Sequence, residues 1–184
     1  MSGRLVFMGS DPIALPVLDA LASRGEGPGV VAVYTQPDRA RGRGQKVRAN
    51  PIKEWALDRG IPVYQPARLG EGERVAFAGL GADLVLVLAY GHILDQAWLD
   101  LPPAGFFNLH TSLLPRFRGA SPIQATLLEG GSQGGVTLMR LVARMDAGPI
   151  VDRERVDLTP LETGATLEAK LAQACVPLVL RNIE

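Results

Sequence analysis

The chain has little of what metal and thiol chemistry is built from: one cysteine and two histidines in 184 residues. Cys175 has no partner for an internal disulfide. Its apolar, helix-patterned surroundings read as a buried reduced thiol rather than a nucleophile. Two histidines and one cysteine form no ligand spacing, so no metal site is expected. An excess of charge is missing too, because 19 lysines and arginines balance 19 aspartates and glutamates. Any attraction to a polyanion must therefore be local. The longest apolar run, Leu84-Val85-Leu86-Val87-Leu88-Ala89-Tyr90, falls far short of the roughly 20 residues of a membrane span. No signal or transit pattern precedes the first strand, which follows Met1-Ser2-Gly3 directly, and a cytoplasmic location is expected. The first strand-to-helix turn reads Gly9-Ser10-Asp11-Pro12 and lacks Gly-x-Gly-x-x-Gly, which disfavours a nicotinamide or flavin role.

What is present suits one globular domain, with 47% hydrophobic and 21% charged residues. Short apolar runs alternate with helical patterns. Strands are expected at 4–8, 30–35, 61–64, 83–89, 105–110, 136–141 and 149–156. Helices are expected at about 12–24, 51–59, 71–78, 122–129 and from 163 to the end. Ser10 or Asp11 can cap the first helix, and Pro12 fits its first turn. The 83–89 segment has almost no polar alternation, as a strand covered on both faces requires. The alternation implies an α/β fold with an open, mostly parallel twisted sheet flanked by helices. The chain stops at Arg181-Asn182-Ile183-Glu184 without a clear terminal signal, as the front part of a longer protein would.

Three segments carry chemistry. In Phe106-Phe107-Asn108-Leu109-His110, strand alternation turns Asn108 and His110 to one face and Leu109 to the other. They end a parallel strand, where α/β sheets place ligands. An amide beside an imidazole can hydrogen-bond a carbonyl and manage a proton, although the triplet alone suits a structural histidine equally well. Met145-Asp146-Ala147-Gly148 reads as ordinary turn chemistry. Alternatively, Asp146 orients the ring of His110. Spacing does not decide whether the two meet. The third segment, Thr35 to Arg48, holds Arg39, Arg41, Arg43, Lys46 and Arg48 against the single acid Asp38. Gly42 and Gly44 give it mobility, and it suits either phosphate contacts or a solvated basic loop. Its length for a strand-to-helix connection favours function. His92, after the 83–89 strand, reads on its own as a bystander to a ligand cleft.

Together these segments resemble the catalytic domain of the methionyl-tRNA formyltransferase family. Asn108-Leu109-His110-Thr111-Ser112-Leu113-Leu114-Pro115-Arg116-Phe117-Arg118-Gly119-Ala120-Ser121-Pro122-Ile123-Gln124 matches its signature. Gly135-Val136-Thr137 through Asp146-Ala147-Gly148 matches the next block, and Thr35-Gln36-Pro37-Asp38-Arg39 with Gly42-Arg43-Gly44 matches the loop that distinguishes the tRNA enzyme. Ala89-Tyr90-Gly91 resembles the folate-side loop, while Gly9-Ser10-Asp11-Pro12 departs slightly from the usual first turn.

The resemblance implies a Rossmann-like formyltransferase fold of three layers over residues 1–184. The family's C-terminal β-barrel, which adds tRNA affinity, is absent from this sequence. It also implies 10-formyltetrahydrofolate as donor and initiator methionyl-tRNA as acceptor, with a monomer expected. Asn108, His110 and Asp146 would be catalytic. Tyr90, Gly91, His92, Ile93 and Leu94 would hold the pterin, with Ser112, Leu113, Leu114 and Pro115 shaping the same cleft. Arg41 and Arg43 would enter the acceptor stem, supported by Arg39, Lys46 and Arg48. Relatives of the same fold formylate sugar-nucleotide amines or glycinamide ribonucleotide, and the Val142 to Gly148 stretch looks somewhat like the former. The Gln36 to Gly44 loop argues against both. A non-catalytic folate- or RNA-binding module is a further alternative, which has no need of Asn108, His110 and Asp146 together.

Overall fold

The computed structural model describes residues 3–41 and 46–183. Its centre is a seven-stranded sheet made of β1 (Arg4–Gly9), β2 (Gly29–Tyr34), β5 (Val63–Tyr64), β6 (Leu84–Leu88), β7 (Gly105–His110), β8 (Gln133–Arg140) and β9 (Ile150–Asp157). The order is β5-β2-β1-β6-β7-β8-β9. The first five strands run parallel, and β8 and β9 continue the sheet antiparallel. Alternation sorts the side chains of β1: Leu5 and Phe7 enter one core, Val6 and Met8 the other.

The first core is closed by α1 (Leu15–Ala22), α2 (Pro51–Asp58) and α6 (Gly164–Leu180), with α5 (Pro122–Glu129) packed against it. The second is closed by α3 (Glu71–Ala78) and α4 (Gln96–Leu99), which contribute Phe77 and Trp98. Three layers result. Both faces of β1 and β6 are covered, which is why Leu5 to Met8 and Leu84 to Leu88 are apolar without alternation. Strand β9 lies at the sheet edge and carries Asp152, Arg153, Glu154 and Arg155, charges that discourage pairing with another chain.

Side-chain caps open the 3-10 turn, α2, α4 and α6. The Asp11 carboxylate accepts the Ile13 amide ahead of a single 3-10 turn, Pro12–Ala14, and α1 follows. Asn50 caps α2 by accepting the amides of Ile52 and Lys53. The expected 61–64 strand shrinks to two residues, while the Pro62 carbonyl still accepts the Val33 amide at 2.9 Å. The basic 35–48 segment, expected as a loop, contains an antiparallel ribbon of β3 (Arg39–Arg41) and β4 (Lys46–Arg48).

The winding sets the site. From β1 the chain builds β2 and β5 to one side, then crosses to build β6 and β7 on the other. That reversal opens a crevice at the carboxyl ends of β1 and β6, where open α/β sheets bind ligands. The ribbon rises from the carboxyl end of β2, on the same edge of the sheet.

Candidate active site

A cleft of about 570 Å³ lies at this edge, within the usual range for small-molecule sites. One wall is the segment after β6, Ala89 to Leu94, and the floor holds Asn108 and His110 at the end of β7. The opposite wall is Val142, Ala143, Met145 and Asp146 from the β8–β9 turn, with Gly119, Ala120 and Gln124 between. As alternation requires, Leu109 packs in the core on the other side of the sheet.

The fold brings together His110 and Asp146, 36 residues apart in sequence. Their Nδ1 and Oδ1 atoms stand 3.6 Å apart, with side chains 6% and 9% exposed. Antiparallel pairing sets Thr137 opposite His110 and Arg140 opposite Phe107, and the turn after β8 folds Asp146 back toward the ring. The turn then closes through the Arg140 amide donating to the Pro149 carbonyl at 2.9 Å. Only glycine fits at position 148, where a Cβ would lie 1.9 Å from the Arg140 carbonyl oxygen. Gly148 is therefore part of what aims Asp146.

The segment after β7 completes the pair's surroundings. His110 Nε2 donates to the Phe117 carbonyl at 2.9 Å, and Asp146 Oδ2 accepts the Gly119 amide at 2.8 Å. Each ring nitrogen thus faces an oxygen, the Phe117 carbonyl on one side and the Asp146 carboxylate on the other. Ala89, Phe117 and Asp146 have φ of 52°, 56° and 48°. All three are non-glycine residues in left-handed backbone, and all border this site, where such strain gathers in functional clefts.

The 111–121 segment is held from beneath. Thr137 Oγ1 donates to the Ser112 carbonyl at 2.7 Å and accepts the Leu114 amide at 3.0 Å. Ser112 Oγ donates to the Arg116 carbonyl, and the Arg153 guanidinium donates twice to the Leu114 carbonyl. Ser112, Leu113, Leu114 and Pro115 lie behind the cleft lining, with Ser112 and Leu114 buried, Leu113 half-buried and Pro115 exposed. The wall expected from them is supplied by Thr111, Gly119, Ala120, Pro122, Ile123 and Gln124.

Tyr90, Gly91, His92, Ile93 and Leu94 do line the cleft. Tyr90 is buried, and burial, then the charge of Glu73, pushes its hydroxyl well above the ordinary tyrosine range. Its hydroxyl and His92 Nε2 are buried without a hydrogen-bond partner among the described residues. Ile93 and Met145, 81% and 60% exposed, put apolar surface at the mouth. Glu168 and Asp11, the latter expected only as a helix cap, add carboxylates to the cleft. The Phe117 carbonyl and Gly119 amide were equally invisible, because backbone groups leave no residue-type signal.

On the ribbon, Arg39 pairs with Arg48 and Arg41 with Lys46. Like charges opposite one another destabilise a two-stranded ribbon, so this pattern is not a stability device. Arg43 lies outside the described residues. Asp38 binds Lys53 Nζ at 2.5 Å and Gln65 Nε2 at 2.8 Å, and these bonds hold its carboxyl below the usual range. Among the described residues, no group of three or more His, Cys, Asp or Glu is placed to hold a metal, and no helix is long and apolar enough to cross a membrane.

Residues 3–183 match the formyl transferase family model. The chain is 46% identical over 181 residues to the methionyl-tRNA formyltransferase of Pseudomonas fluorescens (strain SBW25), covering 98% of this chain and 56% of that protein. It is 45% identical over 181 residues to that of Roseobacter denitrificans (strain ATCC 33942 / OCh 114), covering 98% and 59%. The chain thus spans little more than half the length of these curated relatives. Among solved structures, glycinamide ribonucleotide transformylase 1 from Symbiobacterium toebii shares the fold with a TM-score of 0.79 at 24% identity, over 100% of this chain and 86% of that one. A formyltetrahydrofolate deformylase from Pseudomonas syringae pv. tomato also aligns at 0.79, with 21% identity over 98% and 61%. With a match that runs almost from end to end, the chain belongs to the formyl transferase family.

Proposed function

We propose that the chain transfers a formyl group from 10-formyltetrahydrofolate to the α-amine of methionyl initiator tRNA. The observation that carries this reading is the His110–Asp146 pair beside Asn108, in a cleft on the same sheet edge as the basic ribbon. Family membership supports formyl transfer, and the names of the curated relatives support the acceptor.

The cleft suits a folate. Its backbone at Ala89 to Leu94 offers donors and acceptors, Leu99, Leu141 and Val142 offer apolar walls, and His92 Nε2 is an unpartnered polar atom in one wall. Tyr90, Gly91, His92, Ile93 and Leu94 would hold the pterin, and the donor supplies the formyl carbon.

The acceptor amine forms the new C–N bond, and negative charge develops on the formyl oxygen. Asn108 and protonated His110 donate to that oxygen, which stabilises the transition state more than the ground state. For His110 to donate there, its Nε2–H exchanges the Phe117 carbonyl for the reacting oxygen. Asp146 fixes the ring by facing Nδ1, while the Gly119 amide fixes Asp146. As the bond from the formyl carbon to the folate nitrogen breaks, the proton lost by the amine is passed to that nitrogen, with Asp146 and His110 managing the transfer. Arg39, Arg41, Arg43, Lys46 and Arg48 contact the tRNA phosphates, which gives a salt-sensitive affinity.

The test is formyl transfer from 10-formyltetrahydrofolate to methionyl initiator tRNA, run beside elongator methionyl-tRNA, a sugar-nucleotide amine and glycinamide ribonucleotide. Preferred transfer to initiator tRNA is expected. Transfer to one of the small amines alone would reassign the acceptor, and folate binding without any transfer would refute catalysis by this chain.

A further inference from the structure

Gln36 sits where the carboxyl end of β2 meets the foot of the basic ribbon, and its hydrogen bonds reach in two directions. Its side-chain Nε2 donates to the Tyr90 carbonyl at 3.0 Å, across 54 residues of sequence. Its Oε1 accepts from the Arg39 guanidinium at 3.2 Å. One carboxamide therefore joins the cleft wall to the first residue of the ribbon.

The rest of Gln36 is anchored independently of that side chain. Its amide donates to Ser10 Oγ at 2.9 Å, and its carbonyl accepts from Asn50 Nδ2 at 3.1 Å and Gln65 Nε2 at 2.9 Å. The backbone is a fixed post, and the carboxamide is the arm that reaches from it. At the far end, Ala89 and Gly91 flank Tyr90 with φ of 52° and 82°. The peptide that receives the bond thus lies between two left-handed residues, and a hydrogen bond from outside helps define where it points.

We infer that Gln36 is a positioning residue that sets the 89–94 wall of the cleft from the foot of the ribbon. Through it, folate affinity is coupled to phosphate binding by Arg39. A phosphate that draws Arg39 away leaves Oε1 without its cationic partner. Because hydrogen bonds that share one amide polarise each other, the bond to Tyr90 then changes too. Linkage makes the effect reciprocal, so bound folate shifts the ribbon's affinity for the polyanion by the same factor. The inference rests on the proposed folate and tRNA substrates.

Two variants test it. Gln36→Glu keeps an acceptor for Arg39 but has no N–H for the Tyr90 carbonyl. Gln36→Asn keeps the amide on a shorter arm that no longer reaches. Both retain the backbone bonds, and thermal unfolding checks that they fold. The Kd of tetrahydrofolate is measured by fluorescence, with and without saturating uncharged initiator tRNA. In the unaltered chain, tRNA should shift this Kd at least threefold. In both variants the Kd should weaken roughly tenfold, as for one lost hydrogen bond with its acceptor left behind, and the tRNA-dependent shift should vanish. An unchanged Kd in either folded variant, or a shift that persists, overturns the inference. An unaltered chain that binds tetrahydrofolate with a Kd indifferent to tRNA overturns the coupling alone. One that binds no tetrahydrofolate overturns the proposed donor and this inference with it.

Discussion

Replacing Thr137 by valine keeps the shape of the side chain and removes one hydroxyl. That hydroxyl is wholly buried and serves two backbone groups, donating to the Ser112 carbonyl and accepting the Leu114 amide. Ser112 and Leu114 are themselves 0% and 3% exposed, so water cannot readily replace the lost partner. Each stranded buried group costs about 1–3 kcal/mol, and the added methyl recovers part of the loss, leaving about 2–4 kcal/mol. For a chain of this size, that lowers Tm by about 5–12 °C. Urea unfolding of the unaltered chain, Thr137→Val and Thr137→Ser measures it directly. The serine variant should fall much less, because it keeps both bonds. A valine variant within about 0.5 kcal/mol of the unaltered chain would refute the reasoning. The same substitution should slow formyl transfer, because these bonds hold the segment that presents the Phe117 carbonyl and Gly119 amide to the His110–Asp146 pair.

The other predictions concern charge and reactivity. Bonds from Arg181, then Asn182, lower Asp152 to about 2, and bonds from Lys170, then Thr166, lower Glu162 to about 2. Groups depressed in the folded state stabilise it above their unfolded values and lose that effect as pH falls through the folded ones. Urea midpoints should therefore drop between about pH 4 and pH 2, and Asp152→Asn should flatten part of the drop; an equal drop in that variant contradicts the assignment. Burial pushes the Cys175 thiol up to about 12. Iodoacetamide at pH 8 should leave it unmodified in the native chain and label it in urea, and rapid native labelling by mass spectrometry would contradict its burial. An Arg41→Ala, Arg43→Ala double variant should lose activity on tRNA while still binding tetrahydrofolate, and an unchanged tRNA rate would remove those residues from the proposed interface.

Strand β7 was legible to the residue, because Gly105 opens it and the Asn108-x-His110 alternation sits on a strongly apolar background. Helices α3 and α5 were equally plain from their periodicity and flanking breakers. Ribbon β3–β4 was not. Its three-residue strands are too short for a pattern, and cationic residues oppose each other where pairing rules favour opposite charges. Helix α4 is a single turn, below the length at which a helical period is visible.

Strand β8 starts at Gln133, earlier than its apolar run, because Gly134 and Gly135 are placed by packing rather than propensity. A Cβ at Gly135 would lie 2.3 Å from the Glu154 carbonyl oxygen. The approach of His110 to Asp146 could not be read from spacing, because it depends on β8 returning antiparallel and on a turn that only Gly148 permits. Gln36 showed nothing in sequence of its two-way bonding. Its significance lies in Tyr90 and Arg39 being brought to either side of it.

The central claim is that Asn108, His110 and Asp146 form a working formyl-transfer site. Its most direct test is the single-turnover rate from 10-formyltetrahydrofolate to methionyl initiator tRNA, measured for the unaltered chain, Asn108→Ala and His110→Ala. Loss of one donor to the developing oxyanion costs about 2.7–4 kcal/mol. Each variant should therefore fold normally and transfer at least ~100-fold more slowly. Rates near that of the unaltered chain in either folded variant would contradict the account.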